Sequence, residues 1–264
     1  MELRPPRSGL DAERGMSAWI DLHHALRRMT RGGGFVFLTD NAVGAAEEEN
    51  LAHVGANVGD EVDLRRVVPI LTCKHTLEYC LMFGSRAVSQ GYDALTVLGG
   101  DRALGPPRCV PHARDLRAML RERLPELPLG GWINPHRDIE RQVGFLAAAD
   151  AHADFALTQI VSDHALERVE RLLEHMGRAL PGVPLVFGVF HYRSANPRTL
   201  ETLGRFFPVP AEQVRLDFEA GGTAEELTAH AIRRLRGVGA DKIYLSNLGN
   251  RGTATRLKRI LEMV

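Results

Sequence analysis

The feature that most constrains this chain is the regular return of short apolar runs between amphipathic stretches of helical length. The runs cover 35–39, 67–71, 94–98, 129–133, 155–161, 184–190 and 242–246, and a stub at 1–3 makes eight. Strands buried on both faces read as continuous apolar runs, and alternation with helices favours a parallel sheet. Between the runs lie stripes at i, i+3, i+4 spacing: Met16, Trp19, Ile20, His23 and Leu26; Leu77, Cys80, Leu81 and Gly84; Leu166, Val169, Leu172, Leu173 and Met176; Leu227, Ala231, Ile232 and Leu235; and Leu257, Ile260 and Leu261. Glycines 32–34 fit a helix end feeding a strand, and Ser162 and Asp163 are candidate caps. Eight strand–helix units in 264 residues match a single (β/α)8 TIM barrel covering 1–264. The rival, a doubly wound open sheet, would carry GxGxxG after its first strand, and that motif is missing.

Composition narrows the function classes. Basic and acidic residues balance at 33 each, which removes the positive footprint of a nucleic-acid binder. The cysteines, Cys73, Cys80 and Cys109, are odd in number and lack paired metal-ligand spacing, so a reducing cytoplasm is expected and a disulfide framework is not. Cys80 sits on a helical stripe and reads as core. No signal peptide opens the sequence and no apolar run approaches the length of a membrane helix, so neither membrane nor nucleic acid is an expected partner.

In a barrel of this kind, chemistry gathers at the C-terminal strand ends and the loops that follow. That rule nominates Glu2; Thr39, Asp40 and Asn41; Thr72, Cys73, Lys74 and His75; Gly99, Gly100 and Asp101; Trp132, Asn134 and His136; Gln159 and Asp163; His191, Tyr192 and Arg193; and Asn247 and Asn250. No His-x-His pair ends an early strand, no lysine ends strand 5 or 6, and no Gly-x-Ser-x-Gly elbow occurs. Carboxylates, amides, an indole, an imidazole and glycine turns suit a flat heteroaromatic ligand and the movement of one proton or hydride. On position alone, Glu2 reads as exposed, Asp101 as a helix N-cap and Gln159 as a strand-end polar group. Asp150, His152 and Asp154 alternate like metal ligands but fall before a strand, on the stability face, so no metal site is expected. One of His23 and His24 is expected to pack and the other to face water, and the acidic run 47–49 to lie in the loop after strand 2. Lys74 and His75 could meet a phosphate or an acidic tail.

The segments Glu2-Leu3-Arg4-Pro5-Pro6-Arg7, Leu71-Thr72-Cys73, Leu98-Gly99-Gly100-Asp101, Pro135-His136 and Ala156-Leu157-Thr158-Gln159 occur in an order that resembles the methylenetetrahydrofolate reductase family. The resemblance spans nearly the whole chain and implies NAD(P)H-dependent reduction of 5,10-methylenetetrahydrofolate to its 5-methyl form, with a folate-type small molecule as partner. It implies Glu2 as general acid, its pKa raised by burial; Asp101 as electrostatic stabiliser beside the pterin; and Gln159 as substrate reader. Thr72, Gly100, His112, Ala113, Trp132 and His136 are implied as cofactor-lining positions. NADH or NADPH is the implied reductant. FAD is possible but doubtful, because the family's basic diphosphate contacts read Ala147, Ala148 and Gly99 here, its asparagine Gly144, and its histidine Ile70. Direct hydride transfer from nicotinamide follows as an expectation. A non-catalytic folate-binding barrel and a one-carbon methyl-transfer enzyme are the alternatives.

Overall fold

A computed structural model describes residues 1–40, 54, 61–101 and 105–264; Asn41 and the acidic run 47–49 lie outside the described residues. Eight strands form one sheet in the order β1 to β8. They are β1 Glu2–Leu3, β2 Val36–Leu38, β3 Val67–Thr72, β4 Leu95–Leu98, β5 Leu129–Ile133, β6 Phe155–Ile160, β7 Leu185–Phe190 and β8 Ile243–Ser246. The pairing is parallel, with Leu3 beside Leu38, Thr72 beside Leu98 and Phe190 beside Ser246 in register. The described helices are α1 Ala12–Arg31, α2 Leu77–Ser89, α3 Ala113–Arg123, α4 Ile139–Ala147, α5 Leu166–Ala179, α6 Pro197–Gly204, α7 Ala211–Glu219, α8 Ala224–Gly237 and α9 Thr253–Leu261. This alternation is a (β/α)8 barrel.

Each apolar run overlaps its strand, and the ends shift by a residue or two. Phe35, read as strand, lies outside β2 and is 54% exposed, whereas Thr72 extends β3 and is fully buried. Packing divides the chain into two compact units: 1–132 with 148–155 and 249–254, and 133–147 with 156–248 and 255–264.

In the first unit, α1 corrects the expected stripe. Met16 and Ile20 are 66% and 49% exposed, and the buried face is Leu22, Ala25, Leu26 and Met29. These four also recur at i, i+3, i+4 and i+7, so α1 carries apolar residues on two faces, and the strands choose between them. His23 is half-buried and His24 exposed, as expected. Asp11 caps the helix by accepting from the Arg14 N–H, and Gly33 at φ +79° turns the chain out of it towards β2. Cys80, Phe83, Gly84 and Ala87 form the buried face of α2, which bears out Cys80 as core. A Cβ on Gly84 would stand 2.6 Å from the Leu120 side chain, so glycine sets the spacing of α2 and α3.

In the second unit, α5 buries Val169, Leu172 and Met176, and α8 buries Thr228, Ala229, Ile232 and Leu235. Ser162 accepts from the His164 N–H and caps the 3-10 turn leading into α5. The β6–β7 register breaks between Leu157 and Ile160. There the Tyr244 hydroxyl donates to the Thr158 carbonyl at 2.8 Å, while the Gly188 N–H donates to the Thr158 hydroxyl at 3.1 Å. Gly188 leaves the space that the Tyr244 ring occupies: a Cβ there would lie 2.5 Å from the phenolic oxygen.

Candidate functional site

The C-terminal ends of β2, β3 and β4 converge on one polar network in the first unit. Asp40, just past β2, accepts from the backbone N–H of Thr72 at 2.8 Å and from its hydroxyl at 3.1 Å. The same carboxylate meets Nε2 of His75 at 2.8 Å, and the His75 ring packs on Tyr79 with centroids 4.5 Å apart. The Asp40 side chain is 13% exposed and that of His75 29%. A carboxylate bound to Nε2 holds the proton on that nitrogen and makes Nδ1 the basic position of the ring.

Beside this pair, β4 ends in Gly99 and Gly100. Gly100 adopts φ +70°, and a Cβ there would stand 2.7 Å from Cγ of Lys74. A Cβ on Gly99 would stand 2.6 Å from Cζ of Arg108. Two cationic side chains therefore lie across a turn that a methyl group would enter only by displacing them. Lys74 donates to the Pro106 carbonyl at 2.9 Å, and Arg108 donates to the Gly100 carbonyl. The sequence reading took Gly99 as a lost positive charge. The structure corrects it: a guanidinium from nine residues downstream covers the turn. Paired glycines at a strand end were the legible signal, since such positions admit close approach by another group, but nothing in the sequence named Arg108 as that group.

The other expected residues are dispersed. Thr72 and Gly100 belong to the network just described. Glu2 lies on β1 with its carboxylate 3.6 Å from Nε of Arg4 and its side chain 16% exposed, not surface-exposed as position alone suggests. Asp101 is half-buried past the end of β4, and α3 starts at Ala113 behind His112, whose N–H donates to Asp115 at 2.9 Å. Ile70 is buried within β3, Trp132 is half-buried on β5, and Ala147 ends α4 with Ala148 just beyond. Asp154 accepts from the Leu129 N–H at 2.7 Å and pairs with Arg121, which fixes the entry to β5.

In the second unit, the Gln159 amide is held at both ends: its oxygen accepts from the Ile160 N–H at 2.9 Å, and its nitrogen donates to the Phe206 carbonyl at 3.3 Å. His136 meets the Ile160 carbonyl through Nε2 at 2.7 Å, and burial pushes its pKa down. Past β6, Asp163 lies 3.7 Å from Nε2 of His164 and 3.6 Å from Nε2 of His230, on a cavity of ≈ 50 Å³ that Tyr192 also lines. Among the described residues no group of three or more His, Cys, Asp or Glu side chains is placed to hold a metal, and no helix is long and apolar enough to cross a membrane.

His191, at the end of β7, carries a pH prediction. Its Nδ1 meets the Thr228 hydroxyl at 2.9 Å, and burial pushes its pKa down to about 4. A histidine kept neutral in the folded chain favours unfolding once it can bind a proton. Its contribution is therefore intact above about pH 6.5 and declines as pH falls from there towards 4. Urea titrations between pH 7 and 4 are expected to show an acid limb that flattens in His191→Gln; an unchanged limb would remove His191 as its source.

The fold and this site define a (β/α)8 barrel with polar chemistry at its C-terminal strand ends. Among solved structures the chain is similar to an aldolase, QR15, at TM-score 0.52 and 14% identity over 100% of this chain and 97% of that one. It is similar to dihydrodipicolinate synthase from Bacillus clausii at TM-score 0.51 and 12% identity, over 99% and 73% of the two chains. A mandelate oxidase mutant, in a structure with (S)-mandelic acid, gives TM-score 0.54 and 13% identity over 99% and 70%. No family model matches the chain, and no curated protein matches it.

These findings correct the resemblance drawn from the sequence. The solved structures just named are aldolase, synthase and oxidase barrels, and none of these is a methylenetetrahydrofolate reductase. The short segments that carried the resemblance are strand ends and turns: a glycine turn after β4, a Thr-Cys pair at the end of β3, a polar residue late in β6. The assignment of folate reduction by NAD(P)H, with Glu2 as its general acid, falls.

Proposed function

We propose that the strand ends of the first unit form an acid–base enzyme site for a small anionic molecule bearing phosphate or carboxylate. The observation that carries this reading is the stacking of Lys74 and Arg108 over Gly99 and Gly100, next to the Asp40–His75 pair. His75 is the proton carrier. Asp40 fixes its tautomer and stabilises the imidazolium formed when the ring takes a proton. A planar guanidinium and an ammonium are the side chains that recognise phosphate and carboxylate, and both stand at this turn.

Of the three lysines, Lys242 precedes β8 at the opposite end, Lys258 lies in α9, and Lys74 follows the end of β3, where this reading uses it as an anion contact. The aldolase names of the structural neighbours are not extended to this chain.

The test is calorimetric titration with inorganic phosphate and with pyrophosphate. Binding is expected, weakened about tenfold or more in Arg108→Ala, the scale of one charge-assisted contact. Gly99→Ala is expected to weaken it similarly by displacing the guanidinium. Binding unaffected by either substitution, or no binding to the parent chain, would overturn the reading.

A further inference from the structure

The sulfurs of Cys80, on the buried face of α2, and Cys109, in the segment before α3, lie 3.9 Å apart. The Cys109 N–H donates to the Cys73 carbonyl at 2.8 Å, which holds the segment against the end of β3, and the Cys80 thiol points at the Thr72 carbonyl at 3.7 Å. Cys109 is half-buried and Cys80 fully buried. We propose that Cys80 and Cys109 are a redox modification site that closes to an intramolecular disulfide when the chain meets a low-molecular-weight disulfide oxidant.

Closure requires the sulfurs to approach from 3.9 Å to about 2.0 Å, a distance that side-chain rotation and a small shift of the Cys109 segment can cover. Accessibility sets the order of events. Cys109, which solvent reaches, attacks one sulfur of the oxidant; the oxidant's S–S bond breaks and one thiolate leaves. Cys80 then loses its proton and attacks Cys109 Sγ, and the mixed disulfide releases the second thiolate. Two protein thiols become one disulfide, two electrons pass to the oxidant, and two small thiols are produced. Burial pushes the Cys80 thiol well above its ordinary range and keeps it from solvent, so it is the resolving partner. Cys73 is also buried, its thiol pushed up to about 12, and is the third thiol against which selectivity is judged. The proposal stands apart from the acid–base site, since bond formation depends only on these sulfurs.

Trypsin separates the three thiols, because Cys73 lies in 67–74, Cys80 in 75–86 and Cys109 in 109–114. The folded chain is incubated with oxidised glutathione, alkylated, digested without reductant and analysed by mass spectrometry. The expected product links 75–86 to 109–114 and leaves Cys73 alkylated. The bond closes a loop between residues 29 apart, so the oxidised chain is expected to melt about 5–10 °C above the reduced one, and dithiothreitol should reverse the shift. Cys109→Ser should abolish both the link and the shift. Alkylation of both Cys80 and Cys109, a link from Cys109 to Cys73, a persistent glutathione adduct on Cys109, or a melting shift retained in Cys109→Ser would each overturn the proposal.

Discussion

Asp40→Ala is expected to melt roughly 5–15 °C below the parent chain, while His75→Gln keeps its melting temperature within about 3 °C and loses turnover by about 10²–10⁴. The asymmetry follows from what each side chain holds. Asp40 satisfies the Thr72 N–H and hydroxyl as well as His75, and Thr72 is fully buried. Removing the carboxylate leaves two buried donors without their acceptor, at about 1–3 kcal/mol each. His75 is more exposed, at 29%, so its loss leaves the strand ends intact. Differential scanning calorimetry reads the first effect. Turnover of a pooled set of phosphorylated and carboxylated metabolites, followed by mass spectrometry, reads the second. Full turnover in His75→Gln would refute the acid–base assignment, and an unshifted Asp40→Ala would show that the network contributes little to stability.

Gly188→Ala is the second large effect. The added methyl would meet the Tyr244 hydroxyl at 2.5 Å, so the ring must move or β7 must part from its neighbour. Overpacking of this kind costs about 1–3 kcal/mol, and losing the buried Tyr244–Thr158 hydrogen bond adds about 1–3 more. A fall in melting temperature of roughly 8–15 °C is expected. Pairing it with Tyr244→Phe tests the cause: the double variant still clashes at the ring edge but no longer loses a hydrogen bond. A Gly188→Ala chain as stable as the parent would mean that β6 and β7 tolerate far more adjustment than their close packing implies.

The strands were the most legible part of the chain, because parallel strands buried on both faces leave unbroken apolar runs that survive any choice of rotamer. Helix α1 was harder. Met16 and Ile20 make as good a stripe as Leu22, Ala25, Leu26 and Met29, and only the packed strands decide which set is buried. At the candidate site, Asp40, Lys74 and His75 were on the strand-end roster because topology alone puts them there. Their connection was not legible: the Asp40 carboxylate reaches Thr72 across 32 residues and His75 across 35, and no local spacing encodes such a pairing. Arg108 was missed for a related reason, as its position is decided by the path of a loop. Gln159, singled out by its place in β6, turned out to be held by its own strand and by Phe206.

The guanidinium over Gly99 bears on how such barrels are compared. In the sequence Gly99 carries no charge; in space, the volume above it is filled by positive charge from Arg108. Charge at this turn is thus a property of occupancy, not of sequence position, and a loop can supply or withdraw it while the strand beneath stays unaltered.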